Sequence, residues 1–525
     1  MKGSENPLFG GHYALWSLML CFGVVGLVNL GGLRHDYDEG QYIALASAIA
    51  SGEVPFRDFF YHQPAYYLYL LSLLPEPGPS TLWLYRLPAF IGTWLTGAVL
   101  YFLARDGLKL RLSILAPALF YGSLLVGPGL LALPHGLMIL GTTLGVYFIF
   151  VRGEGRHVLF AGCVMACAVC LKALAISSVI AMVLALVVLK EHRAKLVPFV
   201  ASVAVVGLLG IVGLHLLTDG GFVHALTLQF SRTSAQSGVQ IMQSLPGLAN
   251  DMESLGDVSS VGFNAAIHAI ALTGLPLKFA GNYLLANNTL HSLVLGVVGL
   301  VGLFAHRKQS PWFIVLGLWW FLALVFILFV WSPSWQDYLI QYASPLALLG
   351  AVCLDNLWHR GGVAWAPRWA VVALVGIAWL TGGAAALEGI ENEENEMKGI
   401  QSSTFDSMSW LTFDPYLTFR TGSPEACGLR DPLTDFGLPT NLPGLEVFEG
   451  RRQTLARVMA CLQEAEPTGI WVDDESLMYI DNEFARYLLC QSRHPVSYES
   501  RTHVRKLRAR VGLDVVDGKL CEDSW

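Results

Sequence analysis

The chain has 525 residues, of which 54% are hydrophobic and only 14% charged, with a mean hydropathy of +0.52 and a formal net charge of −7. Soluble globular domains carry about 25% charged residues, so an ordinary soluble protein is excluded, and the negative balance gives no support to nucleic acid as a partner. The first 387 residues hold 35 charged side chains and the last 138 hold 38, which separates a membrane part, 1–387, from a water-soluble tail, 388–525.

A helix needs about 20 apolar residues to cross a hydrocarbon core of roughly 30 Å. On that measure spans are predicted at 13–33, 84–104, 112–127, 134–151, 158–173, 174–189, 196–217, 289–305, 311–330, 338–356 and 369–387. The fold class is therefore a polytopic α-helical membrane protein of about 11 spans, within a range of about 10 to 13, because several runs are short. The first run lacks a small-residue cleavage site and is read as a retained span. The segment 34–83 follows as a first outer loop. It opens on the polar run Arg34-His35-Asp36-Tyr37-Asp38-Glu39, read as a turn, and continues as a helix from Gln41 to Ala50 that Gly52 and Pro55 end. Pro64 to Leu74 is apolar and aromatic but too short to span, which predicts an interfacial or re-entrant helix with its tyrosines at the headgroups. A second long outer loop, 218–288, has a polar middle rich in Ser, Gly and Gln and reads as a lid, a binding loop or a disordered segment. The tail opens on an acidic linker, Glu388 to Glu396, and then alternates: helices at Arg451–Gln463 and Ser476–Cys490 and a buried strand at Gly469–Val472 predict a small α/β domain.

Lysine and arginine set the orientation. Arg105, Lys109 and Arg111; Arg152 and Arg156; Lys190, Arg193 and Lys195; Arg307 and Lys308; and Arg360 and Arg368 fall in five short loops. Placing all five in the cytoplasm requires an odd number of spans, a cytoplasmic N-terminus and an extracytoplasmic tail; the chain is read as integral to the cytoplasmic (inner) membrane. Of the nine cysteines, Cys21, Cys163, Cys167, Cys170 and Cys353 lie in spans and read as packing residues. Cys427, Cys461, Cys490 and Cys521 lie in the tail, where an oxidising location permits disulfides; a four-cysteine zinc site is the alternative.

With the basic loops and the N-terminal Lys2 inside, Arg34, Arg57, Arg86, Lys172, Arg232 and Lys278 remain, all on the outer side. That concentration calls for an anion there, and a lipid phosphate is the natural candidate. Arg86 and Lys172 sit at span ends in apolar surroundings, where snorkelling, a structural ion pair or function accounts for them. Asp36, Asp38 and Glu39 form a carboxylate cluster suited to proton transfer or to an ordinary solvated turn. His62 and His135 could bind a substrate or a metal, or serve structure alone. No GxGxxG, P-loop, HExxH or GxSxG sequence is present.

These residues also carry a resemblance. Asp36-Tyr-Asp-Glu-Gly-Gln-Tyr, Gly52-Glu-Val-Pro-Phe-Arg-Asp-Phe-Phe, His62-Gln-Pro and Tyr85-Arg-Leu-Pro follow one another in order. Gly162 to Ala173 is a small-residue helix ending in a lysine, and Trp331-Ser-Pro-Ser-Trp-Gln-Asp-Tyr-Leu precedes Pro345. Over about 1–387 this resembles the GT-C glycosyltransferases of family 39, which include protein O-mannosyltransferases and lipid A aminoarabinose transferases. The resemblance implies a transmembrane catalytic domain that moves one sugar, with inversion, from a polyprenyl-phosphate donor to a glycan, lipid or protein acceptor outside the cytoplasm. It implies Asp38 as general base and Glu39 as its partner; Arg86, Lys172 and Arg57 at the donor phosphate; and Asp36, Tyr42, His62, Gln63, His135, Gln336, Asp337 and Tyr338 about the substrates. A divalent metal or the fixed cations would serve the leaving phosphate. Gln63 and Gln41 stand where the aminoarabinose enzymes have Lys and Arg, which argues against that sugar, and His135 stands where several relatives have an acid. Two other readings stay open: a transporter or flippase for a lipid-linked glycan, and a polymerase or ligase with a diphosphate-linked donor.

Overall fold

The computed structural model describes residues 12–31, 36–59, 61, 63–218, 220–223, 225, 289–306, 311–327, 336–360, 368–369, 371–377, 379–380, 410–412, 469–472 and 496–498. The described chain is mostly helical. In order come α1 (His12–Asn29), α2 (Tyr37–Ala50), α3 (Tyr66–Leu71), α4 (Leu82–Phe102), α5 (Leu115–Tyr121), α6 (His135–Tyr147), α7 (Gly155–Leu171), α8 (Ile176–Val188), α9 (Leu196–Leu217), α10 (Thr289–His306), α11 (Trp312–Val325) and α12 (Ile340–Arg360). Further helical residues are described between 368 and 380. Three runs are long and apolar enough to cross a membrane: Leu82–Gly107, His135–Arg152 and Lys190–Leu217. The first two reach that length because α4 and α6 continue into a wider π-turn at Leu103–Gly107 and Phe148–Arg152. Shorter apolar helices lie at His12–Val28, Gly155–Leu171, Ala173–Val188, Gly296–Ala305 and Trp312–Val325.

The span predicted over 112–127 is not a continuous helix. Its α-helical part, α5, has seven residues and is about 10 Å long. Gly122 closes it, and a 3₁₀ segment, Leu124–Leu130, follows. Gly127, Pro128 and Gly129 lie in that segment, and such residues break an α-helix even where the composition is apolar enough for a membrane.

Helices α4, α6, α7 and α9 pack in succession, α8 lies against α11, and α12 packs on both α10 and α5. One large core joins these helices. The segments that bear basic loops gather at one end of the bundle. Leu112 donates its N–H to Asp355 (2.8 Å), Lys195 Nζ donates to the Ile149 carbonyl (2.8 Å), and the Phe150 ring lies against His192 and Trp312. Helix α9 leaves Leu208, Leu209, Leu216 and Leu217 exposed, as a lipid-facing helix must.

The first outer loop builds a second core of its own from Tyr42, Phe56, Tyr61, Tyr67, Leu68 and Leu71, against Leu82, Leu133 and Phe222. Helix α2 starts four residues earlier than its apolar stripe predicts. Asp36, in extended backbone, caps it by accepting the Glu39 N–H (3.0 Å). Asp38 and Glu39 thereby occupy the first helical turn, where the helix dipole favours carboxylates. The predicted interfacial helix is also different. Helix α3 has only six residues; Tyr67, Leu68 and Leu71 are buried, and Tyr66 hydrogen-bonds the Gly210 carbonyl of α9 (2.7 Å). Its tyrosines are used in packing because the outer loop folds over them.

In the tail, β1 (Trp410–Thr412), β2 (Gly469–Val472) and β3 (Val496–Tyr498) pair in parallel in that order. β2 is the strand expected there. The two predicted tail helices, the acidic linker and all four tail cysteines lie outside the described residues, as do residues 226–288 of the second outer loop.

The crossing of α4 and α6 rests on two facing glycines. A Cβ on Gly136 would stand 2.0 Å from the Ala89 carbonyl oxygen, and one on Gly92 would stand 2.5 Å from the Gly136 carbonyl carbon. Backbone cannot retreat from backbone without parting the helices. Gly136→Ala should therefore lower stability by at least the ~1–3 kcal/mol of an overpacked core. Gly207→Ala, where an added Cβ meets nothing within 4 Å, should not. Thermal unfolding of the purified full chain compares the two.

Candidate functional site

The site is assembled at the end of the bundle away from the clustered basic loops, where the first outer loop meets α4, α6 and α7. Its anchor is a buried ion pair. Arg86, in the second turn of α4, donates Nε–H to Glu39 Oε1 (2.7 Å) and Nη2–H to Oε2 (2.5 Å), and neither side chain is exposed. The third guanidinium nitrogen, Nη1, donates to the Leu30 carbonyl just past the end of α1 (2.7 Å). Glu39 Oε1 also accepts the Ala132 N–H from the segment leading into α6 (2.7 Å). One pair thus ties α1, α2, α4 and the approach to α6. Arg86 was expected at a donor phosphate, and Glu39 as the residue that orients the acceptor or Asp38; the structure pairs these two side chains with each other and with backbone.

The second element is Lys172. Helix α7 ends at this residue, which takes extended backbone (φ −150°, ψ 116°) before a single 3₁₀ turn leads into α8. The side chain is fully buried. Its ammonium donates to the Tyr42 hydroxyl (3.3 Å) and lies 5.7 Å from the centre of the Tyr42 ring and 5.5 Å from that of Tyr338. A cation at a helix C-terminus is favoured by the free carbonyls there, and aromatic faces add to this.

Tyr42 joins the two elements. Its hydroxyl accepts from Lys172 and donates to Gln63 Oε1 (3.2 Å). One turn before it on α2 stands Asp38, half-buried. Burial first, then the neighbouring phenol of Tyr61, and then Asp38 and Tyr338, push the Tyr42 hydroxyl well above its usual value, so it stays a neutral donor. Burial, and after it the charge of Glu39, does the same for Tyr67. The arrangement can thus hold a half-accessible carboxylate and a buried ammonium about one shared phenol.

Of the other expected residues, His135 and Tyr338 reach this place: His135 is fully buried at the start of α6, and its ring centre lies 6.3 Å from that of Tyr338. Asp36 acts as the helix cap. Arg57 is half-exposed and forks onto its neighbour Asp58 (3.0 and 2.7 Å). Gln336 and Asp337 lie in a 3₁₀ turn, Gln336–Leu339, that leads into α12. His62 lies outside the described residues. The sequence reading did not single out Gln341, one helical turn beyond Tyr338 and buried. Its Oε1 accepts from Ser177 Oγ (2.9 Å). A glutamine inside an apolar run was the available signal. Among the described residues, no three His, Cys, Asp or Glu side chains stand close enough together to hold a metal ion.

No protein-family model matches the sequence, and no curated protein matches it significantly. Among solved structures, the chain is similar to the Archaeoglobus fulgidus oligosaccharyltransferase in complex with Zn and sulfate (12% identity, 78% of this chain and 62% of that one, TM-score 0.47). It is similar to the same enzyme in its apo form (12% identity, 87% and 69%, TM-score 0.48). It is also similar to ArnT from Cupriavidus metallidurans bound to undecaprenyl phosphate (16% identity, 79% and 86%, TM-score 0.45). The chain thus spans 62% of the length of the first of these.

Removing one member of a buried ion pair leaves the other charged and unsolvated, at a cost of about 3–5 kcal/mol. Arg86→Met and Glu39→Gln should each destabilise the protein by about that much, and the double variant by clearly less than the sum. Thermal unfolding of the four proteins closes the cycle; additive losses would mean that the pair does not act as a unit.

Proposed function

We propose that this protein is a membrane glycosyltransferase that moves a single sugar from a polyprenyl-phosphate carrier to an acceptor hydroxyl outside the cytoplasm. The observation that supports the reading is the placement of Asp38 one helical turn before Tyr42 on α2, with the buried Lys172 ammonium on the Tyr42 hydroxyl. Asp38 and Lys172 come from helices far apart in the chain, and one is half-accessible while the other is buried. The order of sequence motifs resembling GT-C enzymes of family 39 supports it. In this reading Asp38 accepts the proton of the acceptor hydroxyl as its oxygen bonds to the anomeric carbon. The bond from that carbon to the phosphate oxygen breaks on the opposite face, its electron pair stays on the phosphate, and the anomeric centre inverts. Lys172 offsets the charge that grows on the leaving phosphate, with a dry surround to strengthen the effect. Arg86 and Glu39 are positioning residues: they hold the first turn of α2, and hence Asp38, against α4. The basic loops face the cytoplasm, the N-terminus lies with them, and the tail is extracytoplasmic, where its four cysteines would be oxidised. The acceptor is a glycan, lipid or protein hydroxyl.

The test uses membranes that hold the full chain, supplied with labelled polyprenyl-monophosphate sugars. The wild-type protein should label an acceptor. Asp38→Asn should keep its fold and its affinity for the lipid while transfer falls by about 10²–10⁴-fold, the usual worth of a general base. Transfer at the wild-type rate by that variant would remove Asp38 from the mechanism, and labelling only from diphosphate-linked donors would replace the donor class.

A further inference from the structure

Two buried side chains near Tyr338 keep polar atoms that the protein does not use. His135 is 0% exposed, and neither of its ring nitrogens has a hydrogen-bond partner. Gln341 is 5% exposed, and its Nε2 is likewise unmatched. Ser177 bonds one end of that amide, so whichever way the amide is turned, one end remains over. A buried polar group without a partner is costly, and native proteins leave few of them. Here they occur on two separate helices, α6 and α12, one beside the Tyr338 ring and the other one helical turn beyond Tyr338 in the chain. Tyr338 carries the Lys172 ammonium 5.5 Å from its centre, has the His135 ring 6.3 Å away, and precedes Gln341 by one helical turn.

We propose that His135 and Gln341 are specificity-determining residues that hydrogen-bond hydroxyl groups of the lipid-linked sugar, with Tyr338 as its apolar floor; this rests on the transferase reading above. The chemistry selects hydroxyl over phosphate. A neutral imidazole presents one donor and one acceptor, and an amide end adds a further donor or acceptor. A hydroxyl both gives and takes a hydrogen bond and so satisfies either kind, whereas phosphate oxygens only accept and would leave an imidazole acceptor bare. Lys172, whose ammonium also lies by Tyr338, supplies the charge that phosphate needs. An apolar, aromatic wall with a few placed polar groups is the usual form of a small-ligand site.

The experiment measures binding of two probes to the purified full chain in lipid nanodiscs: undecaprenyl phosphate without a sugar, and a panel of undecaprenyl-phosphate-linked hexoses and pentoses. Wild type should prefer at least one sugar-bearing lipid. His135→Leu and Gln341→Leu should each weaken that lipid by about tenfold or more, the loss expected when a site built for a hydroxyl loses its partner, and should leave the bare lipid within about twofold of wild type. Lys172→Met should weaken both probes. Should a leucine variant fail to fold, His135→Gln and Gln341→Met replace it; the former, which keeps one donor and one acceptor, should retain more sugar preference than any leucine variant. Equal loss of both probes in the His135 variants, no change in either, or a wild type indifferent to every sugar would overturn the proposal. A wild type that binds neither probe would instead overturn the transferase reading itself.

Discussion

Glu39 and Arg86 are opposite charges held out of water, and the end of the bundle away from the basic loops is arranged around keeping them together. Each would cost several kcal/mol to bury alone. The cost is offset because every contact is well aligned: two guanidinium bonds to the carboxylate, a third to the Leu30 carbonyl, and the Ala132 N–H on the same carboxylate oxygen. The first outer loop cannot lift away from α4 without exposing or separating this pair. The end of α1 and the approach to α6 are held by the same side chains, so the walls of the site move together or not at all.

Asp38 gains its place from this constraint. It is next to Glu39 in the first turn of α2, and the Asp36 cap fixes where that turn begins. One turn later Tyr42 meets Lys172, which is set where α7 stops and the chain turns extended. The facing glycines of α4 and α6 let those helices approach closely, and His135 is the residue next to one of them. Backbone packing thus brings α6 close to the anchor, and the polar side chains follow from where their helices are forced to lie.

Much of the helical organisation was legible in the sequence because it follows from local apolar length. Runs at 84–104, 134–151 and 196–217 became α4, α6 and α9 with small shifts at their ends. The departures have physical causes. The run 112–127 leads from the basic-loop end at Leu112 towards the Glu39 end at Ala132, as a span does, but composition alone ignores the breaking effect of Gly122, Gly127 and Pro128 on its helix. Pro64 to Leu74 has the aromatic character of an interfacial segment, yet Tyr67 is enclosed once the outer loop folds on itself. The start of α2 was missed because a side-chain cap, not an apolar stripe, sets it.

The sequence by itself determined that the chain is membrane-embedded and helical, that its basic loops fall at alternate connections, and that Arg86 and Lys172 are unusual where they stand. These follow from hydropathy and charge, which are properties of single residues and short windows. Only the tertiary structure decided which of those charges face each other. Arg86 goes to Glu39, 47 positions away, and Lys172 goes to Tyr42, 130 positions away. Such pairings depend on how helices cross and on which buried charge lies within reach, and no local pattern encodes that. The same reason hid Gln341: whether a glutamine in an apolar helix is satisfied depends on what the neighbouring helices bring against it.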